Sequence, residues 1–196
     1  MESRIKHCAL IVFLLFFVQS CSFYSFKGSI PSHIDSIYIS PIINNSKEYI
    51  VLDVFNNQIY DTFLKENVLK LKGVNDANSR LDIVILNVTD KPFSYTIDNE
   101  SSFYEKVDEW RITIKVKVEW IDINNDEPLF SRQMTSFGIY SPTLNYDISS
   151  DGIDNDQDGF FDADDDDEVG LARDSALIIA SRKTAENIIS AITSTW

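Results

Sequence analysis

Trp110-Arg111-Ile112-Thr113-Ile114-Lys115-Val116-Lys117-Val118-Glu119-Trp120 alternates apolar and polar residues without interruption. Successive side chains of a β-strand point to opposite sides, so this run is one long strand. Its even-numbered face is buried and its odd-numbered face is polar. Trp110 and Trp120, on the apolar face, read as core or interface anchors rather than ligand stackers. Asn124-Asn125-Asp126 follows as turn chemistry. The alternation resumes from Pro128 to Ile139, with Leu129, Ser131, Gln133 and Thr135 opposite Phe130, Arg132, Met134 and Ser136. Two alternating runs around such a turn predict an antiparallel hairpin.

Upstream of the hairpin, Arg80 to Val88 is rich in aliphatic and β-branched residues and is ended by Asp90 and Pro92, with a resumption around Phe93 to Ile97. Its near-continuous apolarity predicts a strand with both faces partly covered. Further back, Leu52, Phe55, Ile59 and Phe63 recur at helical spacing, widened by Tyr60, Leu64 and Val68. The spacing predicts a helix from about Tyr49 to Leu71, stopped by Gly73. Ile34 to Ile42, with Ile37 and Ile39 on one face, reads as the first strand. Leu171, Ile178, Ala185, Ile189 and Ile192 place a second helix over Leu171 to Trp196. The order is β-α-β-β-β-α. It predicts an α+β two-layer sandwich, with two helices on one face of a four-stranded mixed sheet.

The N-terminus has a different character. Arg4 and Lys6 precede an apolar run from Cys8 to Val18, which ends in Val18-Gln19-Ser20-Cys21. A spanning helix needs about 20 apolar residues; this run has the length and the basic flank of a signal peptide, residues 1–20. A cysteine directly after a small residue at such a run's end resembles the lipobox of bacterial lipoproteins, although Gln19 stands where a small residue is commoner. The alternative is an ordinary secretory signal with a coincidental cysteine. On the lipobox reading Cys21 carries the covalent lipid and is the first residue of a single domain over 21–196. Cys8 leaves with the signal, so no intramolecular disulfide can form and stability must come from a packed core. More than one acyl chain on one residue gives lasting attachment where a single chain is marginal. Ser22 follows the cysteine with no acidic residue to retain the chain at an inner membrane, so the expected destination is the outer membrane, mainly on its periplasmic side.

The formal net charge is −14. Cleavage removes Glu2, Arg4 and Lys6 and makes the mature chain one unit more acidic. Such a chain is a poor nonspecific binder of nucleic acid. Only His33 remains of the histidines, and there is no G-x-S-x-G elbow, glycine-rich phosphate loop or Cys/His metal spacing. The expectation is a protein without enzymatic activity.

Much of the negative charge lies in Ser141 to Glu168. Within it Asp154, Asp156, Asp158-Gly159, Phe160 and Asp162 fit the first nine positions of a D-x-D-x-D-G calcium loop. Oxygen ligands recur at every second residue, Phe160 offers its carbonyl, and Gly159 makes the sharp turn. Position twelve is Asp165 instead of a bidentate Glu, and no amphipathic helix pair flanks the loop, so it is nearer to thrombospondin type 3 or dockerin repeats than to an EF-hand. The expectation is a structural Ca2+ over residues 150–168; the alternative is a solvated acidic insertion with no ion.

Taken together, several segments resemble a known family, the lipopolysaccharide-assembly lipoproteins of the outer membrane (LptE), in the form found in Bacteroidetes-like bacteria. They are Cys21-Ser22-Phe23-Tyr24-Ser25-Phe26, the Ile-rich first strand, Val54-Phe55 leading to Glu66-Asn67-Val68-Leu69-Lys70-Leu71, the strand from Trp110 to Val116, and the closing Trp196. The resemblance covers most of the mature chain and includes no catalytic signature. It implies a lipid-anchored protein that plugs and supports an outer-membrane β-barrel translocon (LptD-like) and helps pass lipopolysaccharide outward. It also suggests that Arg111, Lys115 and Lys117 on one strand face, with Arg132 across the hairpin, meet lipopolysaccharide phosphates. The plainer reading of those residues is a solvated face whose lysines discourage edge pairing. The acidic insertion departs from the family's pattern. It leaves open a second function, a calcium-dependent surface or periplasmic binding or adhesion lipoprotein.

Overall fold

The computed structural model describes residues 30–97, 105–141 and 171–194. In chain order these form β1 (Ser36–Ile39), β2 (Ile43–Asn44), α1 (Ile50–Glu66), β3 (Lys70–Leu71), β4 (Ser79–Ile97), β5 (Glu105–Asp122), β6 (Glu127–Tyr140) and α2 (Ala172–Ser194). The sheet runs β3-β1-β4-β5-β6, with β2 also pairing with β4. Strand β1 pairs in parallel with β3 and with β4, and β2 pairs in parallel with β4, whereas β4, β5 and β6 form an antiparallel meander.

The alternation on β5 does what it predicts. Ile112, Ile114, Val116, Val118 and Trp120 are all fully buried. Register aligns Leu81 with Trp120, Ile83 with Val118 and Ile85 with Val116, and Ile39 with Leu81, so one sheet face is a continuous apolar surface. Val51, Phe55, Ile59 and Phe63 of α1 and Leu177, Ala180, Ala185, Ile188 and Ile192 of α2 join it in a single core. Burying a residue of the size of Ile or Phe contributes roughly 1.5–3 kcal/mol, so this layer of helices on one sheet face supplies most of the drive to fold.

Three expectations need correction. The sheet has six strands rather than four, because the two-residue strands β2 and β3 are too short for any periodicity to mark. The first helix ends at Glu66, not Leu71. Asn67 adopts a left-handed conformation (φ 47) and donates its backbone N–H to the Phe63 carbonyl at 3.0 Å. Asparagine tolerates this geometry, which closes the helix, and Lys70–Leu71 then pairs with Ser36–Ile37 as an edge strand. Finally, β4 does not break at Asp90 and Pro92. It runs on to Ile97: Pro92 keeps its register with Trp110, and the shifts between Pro92 and Ser94 and between Ser94 and Tyr95 leave Phe93 unpaired beside it, the bulged surroundings in which a strand tolerates proline.

The seat of α2 depends on small residues. Ala176, Ala180 and Thr184 lie in its buried seam, whereas Leu171 is exposed. A Cβ added to Gly138 of β6 would come within 2.1 Å of the Ala176 carbonyl oxygen, so the helix backbone rests directly on the strand. The buried hydroxyls in this seam turn back on the helix: Ser181 Oγ donates to the Leu177 carbonyl at 2.8 Å and Thr184 Oγ1 to the Ala180 carbonyl at 2.7 Å.

Candidate functional site

With both helices on the even-numbered face of β5, the odd-numbered face is left open. Register brings Lys91, Arg111 and Ile139 into one cross-strand row and Asn87, Lys115 and Thr135 into another. At the centre is Arg111. Its guanidinium carbon sits 3.7 Å from the centroid of the Phe93 ring and 4.5 Å from that of Phe137. Both rings are themselves more than two-fifths exposed. A guanidinium between two aromatic faces is held flat by cation–π attraction, worth about 0.5–1 kcal/mol at an exposed site and more when desolvated. The Arg111 Nε is buried and has no hydrogen-bond partner among the described residues. Among the described residues no carboxylate pairs with Arg111.

Lys91 lies directly across from Arg111, and like charges opposite one another destabilise a sheet by a few tenths of a kcal/mol up to about 1. Two cations and two exposed rings without a described counter-ion make a surface suited to an anion with apolar flanks. Stacking leaves the guanidinium edge as its hydrogen-bonding side, the geometry that recognises carboxylate or phosphate.

The sequence-derived basic residues fare unequally. Arg111 and Lys115 share the open face, with Lys115 exposed. Lys117 is on that face too, but its Nζ is 3.1 Å from Glu119. That ammonium, followed by the Ser131 hydroxyl, holds the Glu119 carboxyl below its usual range, so Lys117 is largely spoken for. Arg132 does not join them. It pairs with the buried Val118, which places it on the opposite side of the sheet, and its guanidinium lies 5.7 Å from the Phe130 ring. Lys91, Phe93 and Phe137 were not expected at the site. Alignment of the hairpin across its turn would have placed Phe137 on the Arg111 face; Lys91 and Phe93 needed the continuity of β4 through Pro92.

A second polar cluster ties the elements flanking this face. Arg173, at the start of α2, is 2.6 Å from Glu48 Oε2 and 3.0 Å from Asp90 Oδ2. The Tyr140 hydroxyl donates to Asp90 at 2.8–3.0 Å. Burial, followed by the Asp90 carboxylate, pushes the Tyr140 phenol up to about 12. The hydrogen bond with Glu48 holds the Arg173 guanidinium even more firmly charged than usual, against the cost of burial.

Cys21 and the calcium-loop residues Asp154, Asp156, Asp158, Phe160, Asp162 and Asp165 lie outside the described residues. Among the described residues there is no grouping of three or more His, Cys, Asp or Glu side chains suited to a metal, and no helix is long and apolar enough to cross a membrane.

Among solved structures, the chain is similar to the rare lipoprotein B from Shewanella oneidensis, at 13% identity and a TM-score of 0.42, over 81% of this chain and 95% of that one. It is similar to protein XCC0632 from Xanthomonas campestris at 10% identity and a TM-score of 0.49, over 85% and 90%. The hypothetical protein CT253 from Chlamydia trachomatis is similar at 11% identity and a TM-score of 0.47, over 81% and 98%. Likenesses this distant carry no functional argument. No curated protein matches. The model of the LptE (lipopolysaccharide-assembly) family, in contrast, matches residues 34–192, from just before β1 to the last turn of α2. By that match the chain belongs to the LptE family.

Proposed function

We propose that the chain is a non-enzymatic outer-membrane lipoprotein, attached through lipid on Cys21, that supports lipopolysaccharide assembly by docking to a β-barrel translocon and engaging lipopolysaccharide phosphates at its open sheet face. Family membership supports the role in lipopolysaccharide assembly. The observation that carries the residue-level reading is Arg111, stacked between Phe93 and Phe137 with no carboxylate partner among the described residues. A phosphate placed there gains charge-assisted hydrogen bonds from a guanidinium whose freedom is already restricted by the rings. Lys91 and Lys115 add charge on the same face; Arg132 has no part in it. The test is lipopolysaccharide binding by the purified domain. Arg111→Ala is expected to weaken it about tenfold or more, for loss of a charge-assisted contact worth about 1.5–3 kcal/mol, while Arg132→Ala leaves it unchanged. Equal binding by wild type and Arg111→Ala rejects the site. Affinity capture from the native membrane that returns no β-barrel protein rejects the docking.

The Asp spacing of residues 154–165 supports a subsidiary reading, a structural Ca2+ held by Asp154, Asp156, Asp158, the Phe160 carbonyl, Asp162 and Asp165. Calcium titration of the full mature chain by calorimetry tests it, with Asp156→Asn/Asp158→Asn as the control. Deleting residues 150–168 separates the two functions. Unchanged barrel assembly together with lost calcium-dependent adhesion favours the adhesion lipoprotein; impaired assembly on loss of the core favours the assembly factor.

A further inference from the structure

The point at which the chain enters the fold is fixed by a compact hydrogen-bond network. His33 Nε2 donates to Asp122 Oδ2 at 2.6 Å, joining the N-terminal lead to the last residue of β5. Asp122 is almost fully buried and also receives the backbone N–H of Asn124 at 2.9 Å and the Asn125 side-chain amide at 2.7 Å. Asn78, at the start of β4, is the second tie. Its amide nitrogen donates to the His33 carbonyl at 3.0 Å, and its oxygen accepts from the Ser36 backbone at 2.9 Å and from the Ser36 hydroxyl. The Ile123 N–H reaches the Asn78 carbonyl at 3.0 Å, and Ile34 is buried. The described chain therefore enters the fold, at His33, beside the β5–β6 turn.

The reach of the tether and the length of the sheet give this end a direction. Cys21 is nine residues before Ile30, a span that reaches at most about 30 Å when fully extended. Strand β5 has 18 residues, which at about 3.3 Å each extend close to 60 Å from the latch. Arg111, eleven positions back from Asp122, stands about 36 Å from it along the strand. Val74, in the turn between β3 and β4, and Ile123, in the turn between β5 and β6, are exposed large apolar residues at 56% and 38%.

Resting on the lipid-anchor reading of Cys21, we infer that the unpartnered domain stands end-on at the anchoring bilayer, with the β5–β6 turn, Val74 and Ile123 toward the lipid surface and the Arg111 stack held away from it. The tether is too short for the opposite end of the sheet to be the near end. The apolar side chains of the two turns favour contact with the interface over a free pivot. In this orientation Arg111 is beyond the headgroups of the anchoring membrane. The phosphate it takes belongs to a glycolipid already out of the bilayer.

The mature chain has no cysteine besides Cys21, which the lipid occupies, so single cysteines label cleanly. The lipidated full chain carrying Val74→Cys or Tyr95→Cys, each with a fluorophore, is reconstituted in phosphatidylethanolamine–phosphatidylglycerol vesicles containing a headgroup spin label. Tyr95 is an exposed residue of β4 near the far end. The expected result is several-fold stronger quenching at position 74 than at 95, with the contrast reduced by Ile123→Asp. Equal quenching, or stronger quenching at 95, in protein that floats with the vesicles overturns the orientation alone. Protein that fails to float and carries no acyl mass on Cys21 overturns the anchor and the orientation with it.

Discussion

Gly138→Ala tests how α2 is seated. The added Cβ would lie 2.1 Å from the Ala176 carbonyl oxygen, 2.8 Å from its carbonyl carbon and 2.9 Å from its Cα. Ordinary contact begins near 3.4 Å, so helix and strand must separate by about 1.3 Å. No side chain can swing aside, because every atom in the way is backbone. Nor can α2 slide freely. Its first turn is held through Arg173 to Glu48 and Asp90, and Asn187 further along donates to the Ser136 hydroxyl at 3.1 Å. Overpacking a well-filled core costs about 1–3 kcal/mol, and a clash with rigid backbone belongs at the upper end. For a chain of this size about 3 kcal/mol lowers the melting temperature by roughly 6–12 °C. The assay is thermal unfolding followed by far-ultraviolet circular dichroism, with Gly73→Ala as the matched control. The nearest atom to a Cβ at Gly73 is Asp76 Oδ2 at 3.9 Å, so no steric penalty is expected there. A Gly138→Ala protein melting within about 2 °C of wild type would refute the close seating of helix on strand.

Other expectations follow from the polar clusters. Arg173→Ala leaves Glu48 and Asp90 facing each other without their shared cation; with the arginine more than a third exposed, screening limits the expected loss to about 1 kcal/mol, read by urea unfolding. Tyr140 releases its proton at about 12 in the fold instead of near 10, because burial and Asp90 oppose the phenolate. The folded state thus keeps a proton that the unfolded chain gives up, and its stabilisation is present below pH 10 and lost as the pH rises toward 12. Tyr140→Phe should remove that late step from the absorbance titration at about 295 nm. At the other end of the sheet, burial would raise the Asp122 carboxyl, but the bonds from His33, Asn125 and the backbone N–H groups of residues 124 and 125 outweigh it and hold it below its usual value. Its contribution is therefore present above the ordinary carboxylate range and lost as pH falls through the lowered value; Asp122→Asn should flatten the acid limb of the unfolding profile.

The resemblance read from scattered segments held at the level of the family, which the match over residues 34–192 establishes. The site was legible only in part. Arg111 and Lys115 fall on one face by strand periodicity alone. Arg132 was misplaced because counting along β6 gives no register across the turn, and a one-residue difference in pairing moves a side chain to the other face. Lys91 and Phe93 stayed hidden behind Asp90 and Pro92, which look like a strand end but sit at the edge of a bulge.

Local sequence fixed what depends on periods of two and three and a half: the even-numbered apolar face of β5, the β5–β6 hairpin, the two helices and the one-sided covering that makes an α+β sandwich. These follow because a side chain's direction is set by backbone geometry within a few residues. Only the tertiary structure decided what depends on partners far along the chain. Lys70–Leu71 became a strand because β1 offered it an unpaired edge. The Ala176 backbone could come down onto β6 because Gly138 has no Cβ to hold it off. Arg111 became a stacked cation because residues 18 positions before it and 26 after it closed over its two faces. Register, close approach and enclosure are relations between segments, and alternation within one segment carries no record of them.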